Sequence, residues 1–142
     1  MLEPVLSCSE ITAYLDKEFP QIHLNGRVYF VDDIGPGEAR LRLEANEAHL
    51  RPGGTVSGPA MMALADLGAY AVILGHIGPV GLAVTTNLNI NFLRKPNPGP
   101  VRCLAKLIKL GKRLAVVDAA LTSDGVDGLV AHSTLTYSIP TH

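Results

Sequence analysis

From Glu38 to Glu44 the chain reads EARLRLE, with Ala39, Leu41 and Leu43 on one side of an extended backbone and Arg40, Arg42 and Glu44 on the other. That period of two is the signature of a half-buried strand. RVYFV just upstream is rich in β-branched and aromatic residues, and Gly35-Pro36-Gly37 between the two runs supplies a turn, so a hairpin is predicted. Before it, Ser9 is placed to cap a short helix, SEITAYLDKEF, that Pro20 ends. After it, HLRPGGTVSGP is a loop by its Gly and Pro content, and Ser57 follows as a helix N-cap, with Pro59 in the first turn where a missing N–H costs nothing. The helix that starts there, PAMMALADLGAYAVILGHIG, is apolar nearly all round, and such a helix is buried on most sides. Gly75 and Gly78 offer its stop.

The second half returns to the period of two. LAVTTNLNINFL sets Thr86, Leu88, Ile90 and Phe92 against Asn87, Asn89 and Asn91. After the Pro-rich turn RKPNPGP come VRCLAKLIKL, a turn at Gly111-Lys112, RLAVVDAALT, a turn from Asp124-Gly125 to Gly128, and LVAHSTLTYSI. Long strand-like runs joined by short turns predict an antiparallel meander. The expected order is a short helix, two strands, one long apolar helix and four strands. A helix apolar on every side needs a sheet wrapped about it, so the fold class is α+β, with residues 1–142 forming one domain.

Composition narrows the function classes. Charged residues make up 18% of the 142 and the formal net charge is -1, so no global field points to nucleic acid or an anionic membrane. The low charged fraction suggests surface hidden by self-association. Cys8 and Cys103 have the spacing of neither a zinc site nor a redox pair, and they read as reduced thiols of a cytoplasmic protein. The N-terminus lacks the basic start and apolar run of a signal peptide. Leu67 to Val84 is uncharged and near the ~18 residues a membrane span requires, but His76, Gly78-Pro79 and Gly81 interrupt it. His49, His76 and His132 have no metal-ligand spacing and read as structural or surface residues, and no metal or other cofactor is expected.

One residue stands out chemically. Between Arg51 and Arg94 the only formal charge is Asp66. A carboxylate in a helix this apolar must be satisfied by donors or shifted in its titration, and a carboxylate so placed is a candidate base or nucleophile.

SGPAMMALAD, which leads into Asp66, is similar to the signature of the PaaI-like acyl-CoA thioesterases, proteins of the hotdog fold. Their pattern of His-Gly-Gly, four variable residues, Leu, one residue and Asp falls here on the positions of Ser57, Gly58, Pro59, Leu64 and Asp66, of which Gly58, Leu64 and Asp66 keep the family's residue. VTTNLNINFLRKPNPGP resembles the family's third strand and the turn after it, and LGKRLAVVDAALTSDGVDGLVAHSTLTYSI its last hairpin. The resemblance implies a curved antiparallel sheet of about six strands around one central helix, and hydrolysis of an acyl- or aryl-CoA thioester. It implies Asp66 as general base or nucleophile, and the Gly58 backbone N–H as the group that polarises the carbonyl. Thr85 matches a hydroxyl that orients water, with Thr86 nearly as well placed. Arg94, Lys95, Lys112 and Arg113 fall at turns where relatives place cations for the phosphates of coenzyme A. Asp66 would meet the Gly58 amide of a second subunit, so a homodimer or a dimer of dimers is expected.

Three positions depart from the family pattern. Ser57 replaces the His and stands in its place as a candidate catalytic helper, Pro59 replaces the second Gly and has no N–H to donate, and Arg51 stands where an Asn or Gln is common. Arg51 can bind a carboxylate, stabilise an oxyanion or pair with Asp66. Two alternatives therefore stay open beside the hydrolase: a hotdog protein that binds acyl-CoA without cleaving it, and a hotdog dehydratase.

Overall fold

The computed structural model describes residues 2–140. The chain runs α1 (Cys8–Glu18), a short 3-10 helix (Pro20–His23), β1 (Tyr29–Gly35), β2 (Glu38–Leu43), a second 3-10 turn (Glu47–His49), α2 (Gly58–Ile77), β3 (Val84–Phe92), β4 (Val101–Leu110), β5 (Leu114–Ser123) and β6 (Ala131–Ser138). The six strands form one antiparallel sheet in the order β1-β2-β4-β5-β6-β3, with α2 packed against it. This is the α+β hotdog arrangement that the patterning and the resemblance predict.

Two local expectations are corrected. Ser7, not Ser9, caps α1: the Glu10 N–H donates to Ser7 Oγ while the Ser7 N–H donates to Glu10 Oε1. The residue three positions on decides between them, because Ser7 has Glu10 there to complete a capping box and Ser9 has Thr12. The last four strands are also not a simple meander. β4, β5 and β6 are consecutive neighbours, but β3 pairs with β6 at the sheet edge and β4 pairs with β2. The link from Leu93 to Pro100 carries Pro96, Pro98 and Pro100. It cannot close a tight hairpin, and it carries the chain across to β2 instead.

α2 is the core. Leu64, Ala65, Val72, Ile73 and Leu74 are fully buried against inward residues such as Leu41, Val117 and Leu135, and burying each of the larger ones contributes about 1.5–3 kcal/mol. Although α2 is long and apolar enough to cross a bilayer by length alone, 78% of its most apolar window lies inside the fold. Ser57 caps its start, accepting from the Ala60 N–H at 3.3 Å. Gly78, at φ +97°, ends it and donates to the Leu74 carbonyl. His76 secures the β1–β2 turn: the Gly37 N–H donates to Nε2 at 2.8 Å, so Nδ1 holds the proton and donates to the Val72 carbonyl at 2.7 Å.

Candidate active site

Asp66 lies in the third turn of α2, on the side that faces the start of β3 and the end of β6. Alternation along β3 would turn Thr86 toward the helix. The register of β3 on β6 shifts between Thr85 and Asn87, however, and this irregularity lets Thr85 pair with the inward-facing Tyr137. Thr85 Oγ1 donates to Asp66 Oδ1 at 2.7 Å, and the Tyr137 hydroxyl donates to the same oxygen at 2.6 Å. Thr86 instead donates to the Thr136 carbonyl on the sheet. Asn87, Asn89 and Asn91 pair with Thr136, Thr134 and His132 and lie on the sheet face away from α2.

Tyr137 was not among the residues that the sequence singled out. The signal for it is the alternation of HSTLTYSI, which puts Ser133, Leu135 and Tyr137 on the buried side. A tyrosine there needs a partner for its hydroxyl, and the one uncompensated carboxylate of α2 is that partner. Burial, and then the charge of Asp66, push the Tyr137 phenol far above its ordinary value, so it stays protonated and donates.

Asp66 opens onto a cavity of about 540 Å³ whose walls include Phe19, Ile22, Tyr29, Leu67 and Tyr70. Phe19 stands edge-on to Tyr70 with centroids 5.9 Å apart, and Tyr70 stacks on Tyr137 at 6.3 Å. The Tyr70 hydroxyl donates to the Gly81 carbonyl at 3.0 Å, and burial, with Tyr14 nearby, pushes its phenol up to about 12. Among the described residues, the charged ones on this cavity are Glu18 and Asp66, both acidic.

Gly58 opens onto a different cleft of about 470 Å³, together with Arg51, Met61, Phe92, Arg94 and Lys95. The fit at Gly58 is close: a Cβ there would lie 3.3 Å from the Phe92 ring, which would have to give by a few tenths of an ångström. As the first residue of α2, Gly58 contributes one of the N–H groups that have no partner within the helix. Arg94 is partly committed to structure, since its Nη1 donates to the Leu129 carbonyl at 2.8 Å.

One chain thus brings together Asp66, Thr85 and Tyr137, and separately Gly58, Arg51, Arg94 and Lys95. It does not unite the two sets. Eight residues of helix put Asp66 about 12 Å along the axis from Gly58, and Arg51 sits with Gly58, not Asp66. Thr85 and Phe92 mark the two cavities at opposite ends of β3, about 23 Å apart. Lys112 and Arg113, in the β4–β5 turn, lie at the Thr85 end: Leu114 and Val84 both pair with Ser138. The four turn cations are therefore split, two at each end of the sheet. Ser57 serves as the helix cap.

Comparison with known proteins gives a consistent family assignment. The model of the thioesterase superfamily matches residues 53–130. A candidate esterase of Saccharolobus solfataricus is 34% identical over 139 residues, which is 97% of this chain and 89% of that protein. A candidate thioesterase of a Silicibacter species, known from its crystal structure, is 48% identical, with a TM-score of 0.88 over 99% of this chain and 96% of its own. A mutant of the phenylacetic acid degradation protein PaaI of Thermus thermophilus is 28% identical, with a TM-score of 0.68 over 80% of this chain and 94% of its own.

Proposed function

The chain belongs to the thioesterase superfamily, and from that premise we propose that it hydrolyses acyl-CoA thioesters at a site shared between two copies of the chain. The observation that carries this reading is the separation of Asp66 from Gly58. A thioester carbonyl needs its base or nucleophile and its oxyanion donor each within about 3 Å, and a helix cannot bring its own first and third turns that close. A second copy can.

The edges of the sheet say where that copy would sit. β1, one edge, carries Asp32 and Asp33 and a register irregularity, devices that discourage pairing. β3, the other edge, reads VTTNLNINF and has no charge or proline in nine residues. Phe92 at its end and Met62 on α2 are exposed. Two β3 strands paired antiparallel about a two-fold axis would lay the Thr85 end of one on the Phe92 end of the other. Asp66 of one copy then approaches Gly58 of the second, and Lys112 and Arg113 of the first join Arg94, Lys95 and Arg51 of the second. Cations so gathered suit the phosphates of coenzyme A. The aromatic cavity, which among the described residues has acids and no base on its walls, suits an uncharged alkyl or aryl acyl group.

In this scheme Asp66 either takes a proton from a water that attacks the thioester carbonyl, or attacks it itself to form an anhydride that water then opens. On both routes the Gly58 N–H holds the developing oxyanion, the C–S bond breaks, and the coenzyme A thiolate leaves and takes up the proton that water supplies. Thr85 fixes the carboxylate from the side. The test is thiol release from short, long and aromatic acyl-CoAs, with wild type beside Asp66→Asn. The Asn side chain keeps an acceptor for Thr85 and Tyr137, so the fold should persist while turnover is lost. An intact thioester that remains bound to the wild type would favour a binding module. Subunit mixing tests the shared site. Asp66→Asn and Gly58→Ile should each be inactive, and a refolded mixture should recover about a quarter of wild-type activity, because half of the dimers are mixed and each mixed dimer holds one intact site. A site contained in one chain would recover nothing.

A further inference from the structure

We propose that Tyr137 is a positioning residue that makes Asp66 Oδ2 the reacting oxygen. The inference rests on the hydrolase reading above and adds to it an assignment that neither the family pattern nor the sequence motifs contain. Three observations carry it. Both donors that reach the carboxylate, Thr85 Oγ1 at 2.7 Å and the Tyr137 hydroxyl at 2.6 Å, converge on Oδ1. The donors come from adjacent strands at paired positions, so the sheet fixes their spacing. The Tyr137 ring is buried, 3% exposed, and stacked on Tyr70, so the hydroxyl cannot swing away.

The consequence is chemical. A hydroxyl has one proton to give, and both protons go to the same oxygen. Oδ1 is thereby anchored, and its lone pairs are largely engaged. Oδ2, which accepts from neither hydroxyl, keeps its lone pairs for a carbonyl carbon or a water proton. Without the second donor the carboxylate can rotate about its Cβ–Cγ bond, an easy motion because that torsion has a broad minimum. Near-attack geometry would then be lost in part of the population. Tyr137 touches no reacting atom in this account and acts entirely through Asp66. The Asp66 carbonyl, 3.0 Å from the same hydroxyl, is a second and longer acceptor for that one proton, and the shorter contact at 2.6 Å is to Oδ1.

The test uses the full-length protein. Tyr137→Phe removes only the hydroxyl and leaves the ring stack, so the melting temperature should move little. With the best acyl-CoA, kcat should fall about ten- to a hundredfold, the range for loss of a hydrogen bond to a charged group, while KM stays within about twofold, because the Tyr137 ring that lines the cavity is kept. Thr85→Val should act on the same oxygen, so the effects of the single and double variants should be non-additive. Crystal structures of wild type and Tyr137→Phe should show the Asp66 carboxylate rotated or in two orientations in the variant only. Unchanged kcat, or a loss confined to KM, would overturn the proposal. If the wild type cleaves no thioester, the hydrolase reading fails and the crystal structures still decide the positioning: an Asp66 carboxylate unmoved in Tyr137→Phe refutes it.

Discussion

Gly68 offers a sharp test of how the central helix is seated. It lies inside α2 against β4, where an added Cβ would be 2.8 Å from Cys103 Sγ. Two effects oppose each other in Gly68→Ala. Alanine in a helix interior is favoured over glycine by about 1 kcal/mol. The new methyl, however, must push the sulfur aside by more than half an ångström, and Cys103 is 2% exposed and held between Leu41 and Leu121 on the neighbouring strands. Overpacking of this kind costs about 1–3 kcal/mol, so the net result should be a loss of about 1 kcal/mol. For a chain of this length that is a fall of about 2–4 °C in melting temperature. Cys103→Ala alone should also cost about 1 kcal/mol through lost burial. Combined, the two changes should cancel, because the added methyl on the helix moves into the space of the sulfur and keeps ordinary contacts of 3.5 Å to Ala105 Cβ and 3.9 Å to the Cβ at position 103. The coupling in the double-mutant cycle should be about 2 kcal/mol. Urea unfolding of the four proteins at one fixed protein concentration measures it. Stabilisation by Gly68→Ala, or additivity within about 0.5 kcal/mol, would refute the close seating of α2 on β4.

Stability should fall on the alkaline side. Burial, and then the Asp118 charge, raise the Cys103 thiol from 9.0 to about 12, and burial raises the Tyr70 phenol from 10.0 to about 12. Groups raised in the folded state contribute stability that is complete below their unfolded values and is lost as pH climbs toward the folded ones. The melting temperature should therefore hold up to about pH 9 and drop between about 9 and 12, with Cys103→Ala removing the earliest part of the drop. A flat profile through this window would contradict the burial of these groups. The acidic lining of the aromatic cavity should select the acyl group. Glu18→Gln should raise kcat/KM for an ω-carboxyalkanoyl-CoA about three- to tenfold, as expected for removing one partly screened charge, and leave the uncharged acyl-CoA of equal length nearly unchanged. Equal gains for both substrates would show that Glu18 does not act through its charge.

Much of the fold was legible because hydrophobic period maps directly onto burial. Ala39, Leu41 and Leu43 are all buried as the alternation in EARLRLE requires, and the long run from Pro59 is the buried helix. Ser57, Pro59 and Gly78 mark its ends by local capping chemistry. Strand order was not legible, since a period of two says which face is buried and nothing about which strand lies alongside. Only the three prolines between β3 and β4 hinted that these strands part company. The Ser7 cap was present in the sequence as Ser-x-x-Glu and was obscured by Ser9, an equally good capping residue type without the partner.

The candidate site divides along the same line between local and non-local information. Asp66 and Gly58 are visible because both sit on one helix, where a carboxylate among apolar residues and a glycine at an N-terminus are local anomalies. What surrounds Asp66 comes from β3 and β6, 19 and 71 residues away, and no local pattern names it. Thr85 and Thr86 are equivalent in composition, and the irregularity in the β3 register alone selects Thr85. Tyr137 is the clearest case. Its inward position follows from alternation, but its partner follows only from the pairing of β6 with β3, which places its ring under the third turn of α2. The same pairing leaves β3 at the edge with no charge to guard it. The crossover that hid the strand order from the sequence therefore does two things at once: it delivers Thr85 and Tyr137 to one oxygen of Asp66, and it leaves open the edge along which a second copy would supply Gly58.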